Sequence, residues 1–331
     1  MTTTFPLLLP IILLLVGLTI LVWSADLFVE GAASTAVRYN VSPLVIGVVI
    51  MGFGTSSPEL VVSIMASLEG NPNLAIGNSV GSNITNIGLI LGMTALLAPV
   101  LVKSSVLKRE LPILLIVTAL GMVLILNRTL GIYDGLILLS TLVLVLIWMI
   151  RANKNVPSSD PLVQEINEEI GEIPKLSKQR AFLYLIGGLV LLIISSRMMV
   201  SGAVDIAQHF QVPDLIIGLT IVAIGTSLPE LASSIAAALK NEVDMVVGNI
   251  LGSNLFNITA VLAVPAILAP HMIDSAVLTR DYPIMIGFTI AMLLVALPRK
   301  GNAVISRIEG FVLLSLFVGY LTLLYFNTVN P

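Results

Sequence analysis

The sequence predicts an all-α polytopic membrane protein whose ten transmembrane helices form two inverted five-helix repeats. Two observations predict this fold class. The 331 residues are 57% hydrophobic and 11% charged, with a mean hydropathy of +1.05, which is more apolar side chain than a soluble core can bury. In addition, several polar motifs recur in the second half of the chain at one constant offset. A bilayer is therefore the expected solvent, and a duplication is the expected architecture.

Apolar runs long enough to cross a bilayer recur along the whole chain. A crossing helix needs about 20 mostly apolar residues. The first run follows Met1 without a basic segment or a nearby cleavage site, so we expect it to be retained as a helix. The predicted spans are residues 6–23, 43–68, 74–98, 111–127, 134–150, 180–201, 214–239, 244–269, 282–298 and 304–326.

The composition argues against several classes of function. The sequence contains no cysteine, so no disulfide framework, thiolate metal site or cysteine nucleophile is available. A net charge of −3, without a basic stripe carrying interleaved aromatic residues, argues against nucleic-acid binding. The spans contain no serine–histidine, HExxH or paired-aspartate arrangement, so an enzyme is not expected. The lipid bilayer is the expected surrounding, and both a monomer and a homo-oligomer are compatible with the sequence.

The distribution of basic residues predicts the orientation of the chain. Basic loops tend to stay on the cytoplasmic side of a membrane. With the N-terminus outside, thirteen of the sixteen Lys and Arg residues fall in cytoplasmic loops, and Arg128, Arg197 and Arg280 fall on the outer side. We therefore expect both termini to lie outside, in a cytoplasmic or bacterial inner membrane.

The internal repeat is carried by polar motifs. GTSSPEL begins at residue 54 and GTSLPEL at residue 225, an offset of 171 residues, and a GN(x)2GSN(x)2N motif follows each of them at the same offset. The sequence therefore predicts a first repeat over residues 1–150 and a second over 180–331. Because five helices is an odd number, the second repeat must enter from the opposite face, and inverted repeats of this kind are typical of transporters.

A polar linker over residues 151–179 separates the predicted repeats. It contains Glu165, Glu168, Glu169 and Glu172 among apolar positions. The pattern predicts a solvated linker with a short amphipathic helix from about Val163 to Ile170. An acidic regulatory cation site is the alternative.

Glu59 and Glu230 lie deep within otherwise uncharged spans. An acidic residue inside a membrane is costly, so it usually faces the interior of the bundle and serves a function. Pro58 and Pro229 should kink these helices and free carbonyls near residues 54 and 225. The alternative is a protonated, hydrogen-bonded glutamate with a structural role.

A second set of polar residues is spaced four apart on the third and eighth spans, so that each set shares one helix face. With the glutamates and the neighbouring hydroxyls they would form an all-oxygen site, which suits hard cations such as Ca²⁺ or Na⁺. Packing between helices is the alternative for these residues. The two sets are Asn78, Ser82 and Asn86, and Asn249, Ser253 and Asn257.

On these motifs the sequence resembles the calcium/cation antiporter superfamily, and specifically its sodium/calcium exchanger branch and the similar bacterial inner-membrane proteins. The resemblance implies that the first and sixth helices move past an ion-binding core, with contributions from the carbonyls of Gly52 and Ala223. It implies that the transported ions are lined by Thr55, Ser56, Glu59, Ser82, Asn86, Thr226, Ser227, Glu230, Ser253 and Asn257.

The function that the resemblance implies is antiport of Ca²⁺, or a similar divalent cation, for Na⁺ by alternating access, without a cofactor. Asn257 departs from the pattern, because many such exchangers carry an aspartate there. This leaves a proton- or potassium-coupled exchanger as an alternative. A cation channel and an ion-sensing membrane protein are further alternatives.

Overall fold

A computed structural model describes residues 7–39, 54–102, 105–152, 157, 159–172, 176–240, 242–296 and 303–329. Over this part the chain is mainly helical. Residues 43–53 of the second predicted span, 297–298 of the ninth and several residues of the predicted linker lie outside it.

The described helices follow the order that the repeat predicts. The first half contains α1 (Leu8–Arg38), α2 (Ser57–Leu68), α3 (Pro72–Leu97), α4 (Ser105–Ile125) and α5 (Ile132–Ala152). The linker carries α6 (Pro161–Glu172), so the predicted amphipathic helix is present. The second half contains α7 (Lys178–Phe210), α8 (Asp214–Thr226), α9 (Leu228–Leu239), α10 (Val243–Leu268), α11 (Val277–Val295) and α12 (Arg307–Val329).

The chain is a helical membrane protein. Seven of the described helices are long and apolar enough to cross a membrane, and α8 with α9 forms a further candidate that is bent by 42°. Helix α4 has 21 residues but carries Lys108, Arg109 and Glu110 near its start. Helix α2 has 12 residues and covers residues 57–68 of the second predicted span. The count of ten spans therefore stays a prediction.

Helices α3 and α10 form the centre of the molecule. Most of their residues are buried, whereas most residues of α1, α5, α7 and α12 face outward. The central position fits their sequences, because these two helices carry the polar residues spaced four apart. Polar side chains in a membrane protein are stable only where protein or water surrounds them.

Helices α1 and α7 cross at small residues. A Cβ atom added at Gly17 would lie 2.8 Å from the backbone nitrogen of Met199, and one added at Gly188 would lie 2.6 Å from that of Phe28. Real Cβ atoms do not approach a backbone so closely, so only glycine fits at either place. Gly17 and Gly188 are 171 positions apart, and so are Phe28 and Met199. The two contacts are therefore equivalent in the two repeats.

Four short strands are the exception to the predicted all-α class. Strand β1 (Val100–Val102) pairs antiparallel with β4 (Ala303–Ile305), and β2 (Thr129–Leu130) pairs with β3 (His271–Met272). The prediction missed them because two or three residues are too few to show an alternating pattern. Each pair joins a loop of the first half to a loop of the second half.

We predict that Gly188→Ala destabilises the protein while Gly187→Ala does not. The added methyl group at residue 188 would meet the backbone of Phe28, whereas the same group at residue 187 would have no neighbour within 4 Å. Overpacking of this kind costs about 1–3 kcal/mol. Thermal unfolding of the detergent-solubilised variants measures the difference, and equal stability of the two variants would contradict the close α1–α7 contact.

Candidate cation-binding site

The second GTSxPE motif separates two helical segments, and the first forms a turn directly before a helix. Helix α8 ends at Thr226 and α9 begins at Leu228, while α2 begins at Ser57 after a turn at residues 55–56. The predicted kink is therefore present in the second half, where α8 and α9 are bent by 42°, but the break lies before the proline. Each proline lies in the first turn of the new helix, where a missing N–H group leaves no hydrogen bond unmade. In the first half, the Gly54 carbonyl accepts a hydrogen bond from Ser57 Oγ at 2.6 Å.

Each buried glutamate is hydrogen-bonded by a serine from the other half. Ser56 Oγ donates to Glu230 Oε1 at 3.0 Å, and Ser227 Oγ donates to Glu59 Oε1 at 3.0 Å. Each serine stands three residues before the glutamate of its own half. The crossed bonds therefore bring the two carboxyl groups, both fully buried, to one place at the middle of the molecule.

The threonines of the motifs make a second pair of crossed contacts. Thr226 Oγ1 donates to Asn78 Oδ1 at 3.2 Å, and Thr55 Oγ1 donates to Asn249 Oδ1 at 3.3 Å. The amide of Asn78 also donates to the backbone carbonyl of Glu59 at 3.0 Å. Asn78 thus ties the glutamate of its own half to the threonine of the other half, and Asn249 makes the equivalent bond to Thr55.

The remaining predicted site residues lie on α3 and α10, the helices that pack against α2 and α9. Ser253 Oγ lies 3.4 Å from Glu230 Oε1. Asn86 and Asn257, both fully buried, begin the π-helical turns of the two helices. Such turns occur often at functional sites because they redirect the local backbone.

Several buried oxygen atoms at this place have no hydrogen-bond partner among the residues that the structure describes. A buried polar atom without a partner is costly, and native structures contain few of them. Neither glutamate forms an ion pair with a described residue. Oxygen atoms with free lone pairs, two of them on carboxyl groups, are the ligands that hard cations require. The atoms are Glu59 Oε2, Glu230 Oε2, Ser82 Oγ, Asn86 Oδ1 and Asn257 Oδ1.

The structure also brings in residues that the sequence did not single out as part of the site. Asn254 Oδ1 accepts a hydrogen bond from Asn86 Nδ2 at 3.0 Å, and Ser79 Oγ donates to the Asn257 carbonyl at 2.7 Å. The Asn254 contact had a signal in the sequence, because this residue belongs to the repeated GSN motif. The backbone bond from Ser79 had none.

The family resemblance implies that the backbone carbonyls of Gly52 and Ala223 contribute to the ion site, and the structure describes only one of them. Gly52 lies outside the described residues. The Ala223 carbonyl accepts a hydrogen bond from the Ser227 amide at 3.2 Å, and it lies 3.3 Å from Thr226 Oγ1, whose single proton goes either to this carbonyl or to Asn78. A carbonyl oxygen has two lone pairs, and both of these contacts come from the predicted site residues next to it.

The donor set distinguishes this place from a conventional protein metal site. No group of three or more His, Cys, Asp or Glu side chains suited to a metal occurs among the described residues. The site instead combines two carboxyl groups with neutral hydroxyl and amide oxygens. This composition excludes the nitrogen and sulfur ligands that zinc and copper prefer and fits hard cations.

A cavity of about 300 Å³ lies beside this site. It is lined by Thr55 and Asn249, which hydrogen-bond to each other, by Gly252 of α10, and by Leu162 and Ile166 of α6. The cavity therefore lies between the linker helix and residues of the candidate site.

Comparison with known proteins gives the family. The family model described as sodium/calcium exchanger protein matches residues 9–151 and again residues 180–326. The chain belongs to the sodium/calcium exchanger family. The resemblance stated from the motifs is thus confirmed, and the family consists of membrane transporters of inorganic cations rather than enzymes.

Relatives of this exchanger-family chain match over nearly its whole length. CaxA of Alkalimonas amylolytica is 48% identical over 314 residues, covering 95% of this chain and 98% of the relative. Inner membrane protein YrbG of Escherichia coli K12 is 39% identical, and the match covers 95% of this chain and 96% of YrbG. Sodium/calcium exchanger MaX1 of Methanosarcina acetivorans is 31% identical, and the match covers 95% of this chain and 98% of MaX1.

Solved structures of the sodium-calcium exchanger NCX_Mj share the fold. The structure soaked with 100 mM Na⁺ and 10 mM Sr²⁺ has a TM-score of 0.66 and 31% identity to this chain. The match covers 96% of this chain and 98% of the chain in that structure. The fold of an exchanger-family transporter therefore extends over both halves.

We predict that Asn78→Leu and Thr226→Val each weaken Ca²⁺ binding by roughly tenfold and that their effects are not additive. Removing one partner of a buried hydrogen bond costs about 1–3 kcal/mol, and residues in contact couple in double-mutant cycles. Calcium binding to the purified variants measures both effects. The control is Thr220→Val, because that hydroxyl bonds the carbonyl of Ile216 on its own helix. Fully additive losses would show that the Asn78–Thr226 contact does not shape the site.

Proposed function

We propose that this protein is a secondary active antiporter that exchanges Ca²⁺, or a similar divalent cation, for Na⁺ by alternating access. The observation that carries the proposal is the pair of buried glutamates, each hydrogen-bonded by a serine of the other half and each with one carboxylate oxygen that has no partner among the described residues. Two carboxylates balance the charge of one Ca²⁺ or of two Na⁺. The same oxygen atoms can therefore hold either cargo but not both at once, which is what exchange requires.

The proposed ligands are the two glutamates and the hydroxyl and amide side chains of the repeated motifs. The hydroxyl and amide oxygens surround the carboxyl groups without adding charge, so the preference for divalent over monovalent ions depends on the number of oxygens and their flexibility. The proposed set is Thr55, Ser56, Glu59, Ser82 and Asn86 from the first half, with Thr226, Ser227, Glu230, Ser253 and Asn257 from the second.

The proposed architecture is ten spans in two inverted repeats, residues 1–150 and 180–331, joined by the linker over 151–179. The two stretches matched by the family model and the equivalent contacts of residues 171 apart support this division. The strand pairs support the inversion. A ten-span topology puts β1 and β4 on one face and β2 and β3 on the other, which agrees with their pairing. We propose that both termini lie outside.

The names of two relatives support the choice of cargo. MaX1 is called a sodium/calcium exchanger, and the NCX_Mj structures describe extracellular ion exchange in a sodium-calcium exchanger. The proposed location in the cytoplasmic membrane agrees with the description of YrbG as an inner membrane protein.

We predict that Glu59→Gln and Glu230→Gln abolish exchange. Each change removes one of the two charges that balance Ca²⁺ while keeping the side-chain shape. Uptake of ⁴⁵Ca²⁺ into proteoliposomes loaded with Na⁺ measures the loss, and Glu168→Gln, on the exposed face of the linker helix, is the control. Replacing internal Na⁺ by K⁺ or by a proton gradient identifies the coupling ion. Uptake by both glutamine variants would refute the site, and uptake without any counter-ion would indicate a channel.

We predict that Asn257→Asp makes the dependence on Na⁺ steeper, raising the Hill coefficient by about one, because a third carboxylate balances a third Na⁺. Both side-chain atoms of Asn257 lack partners among the described residues, so the change breaks no hydrogen bond. Asn86→Asp adds the same charge but removes the donor to Asn254, so it should be less well tolerated. Inhibition of ⁴⁵Ca²⁺ uptake by Na⁺ measures the coefficient, and an unchanged value for Asn257→Asp would contradict this charge count.

A further inference from the structure

Helix α6 is packed onto the protein and is not a solvated linker, which corrects the prediction from its polar composition. Asp160 Oδ1 accepts a hydrogen bond from the Leu162 amide at 3.2 Å and so caps the start of the helix. Leu162 and Ile166, one helical turn apart, are each 5% exposed and belong to the main hydrophobic core. Glu168 lies on the exposed face. The amphipathic pattern therefore serves a packing contact.

Glu165 attaches this helix to the start of α10. Its Oε2 atom accepts a hydrogen bond from the Met245 amide at 2.7 Å. Met245 lies in the first turn of α10, where amide groups have no partner within the helix and the positive end of the helix dipole favours a carboxylate. The contact joins the linker to a helix that carries proposed cation ligands further along.

The apolar face of α6 forms part of the wall of the cavity beside the candidate cation site. Leu162 and Ile166 line this cavity together with Thr55 and Gly252. Along α10, Met245 and Gly252 are seven residues apart, which corresponds to about 10 Å of helix. The cavity therefore connects the surface of α6 with Thr55, a residue of the candidate site.

We propose that α6 is a lid whose docking on α10 closes the route from the linker face to the cation site and whose release opens it. This inference rests on the exchange function proposed above, since it assigns the lid to one of the two access routes. The apolar contacts of Leu162 and Ile166 hold the lid, and the Glu165–Met245 bond fixes its position.

The charges around Glu165 make the lid sensitive to pH. Burial, and then the charges of Asp244 and Glu242, raise the pKa of Glu165 to about 7 against the stabilising Met245 hydrogen bond. The other charged groups lining the cavity from packed helices are Lys240, Glu110 and Asp26. Because the pKa is higher when α6 is docked, docking is favoured by protonation. It is strongest below the ordinary glutamate pKa and weakens as the pH rises toward 7.

Thiol labelling tests the lid without requiring transport. The chain has no native cysteine, so Ala237→Cys places a single thiol at a buried position that lines the cavity. A membrane-impermeant methanethiosulfonate reagent is applied to the linker face of reconstituted protein. At pH 5.5, where Glu165 is protonated and the lid docks most strongly, we expect Glu165→Ala to label roughly tenfold faster than the parent. Leu162→Ala, which weakens the apolar contact instead, should also label faster, and Glu168→Gln should leave the rate unchanged.

The pH arm uses Glu165→Gln as its reference. The glutamine keeps an acceptor for the Met245 amide but does not titrate, so its labelling rate corrects for ionisation of the thiol itself. The ratio of the parent rate to the Glu165→Gln rate should rise several-fold from pH 5.5 to 7.5. A constant ratio, together with unchanged rates in Glu165→Ala and Leu162→Ala, would overturn the lid. If the protein shows no ⁴⁵Ca²⁺ exchange but its labelling rate changes as expected with pH and with the α6 variants, the proposed function is overturned and the lid is supported.

Discussion

The structure depends on burying two carboxyl groups in the middle of a membrane protein without a basic partner from the described residues. Glu59 and Glu230 meet this constraint by crossed hydrogen bonds, since each accepts from the serine that precedes the other. Neither half can complete the site alone, because the donor for each glutamate belongs to the opposite half. This explains why α3 and α10 are central, since their amides and hydroxyls supply the rest of the polar surface around the two carboxyl groups.

The same constraint explains the helix breaks. In a continuous helix, the backbone at Ser56 and Ser227 would be fully engaged and these side chains would project from the helix surface at fixed angles. Ending one segment and starting another at this point turns the hydroxyl groups toward the opposite half. Proline in the first turn of the new segment makes the restart favourable, because its fixed φ angle suits a helix start. The GTSxPE motif therefore encodes a change of direction together with a set of ligands.

The sequence predicts much of this arrangement, and the missing parts have physical reasons. Isolation of Glu59 and Glu230 in apolar spans predicts their burial, and the offset of 171 residues predicts equivalent roles. Helical spacing shows which residues share a face, but it does not show which helix that face meets. The exchange of partners between Ser56 and Ser227 could therefore not be predicted. The docking of α6 was missed for the same reason, since an amphipathic pattern shows that a helix has an apolar face but not which surface that face meets.

The two halves depart from symmetry at positions that matter for the balance between access states. Ser57 bonds the Gly54 carbonyl, but its counterpart Leu228 has no hydroxyl group. Ser79 bonds the Asn257 carbonyl, whereas the equivalent residue is Ile250. With two identical halves, inversion would make the inward- and outward-open states equal in energy. A hydrogen bond that forms in one state and breaks in the other would contribute about 1 kcal/mol, enough to favour that state several-fold. In the proposed antiporter, the two halves are therefore alike in their glutamates and unequal in these hydroxyl groups.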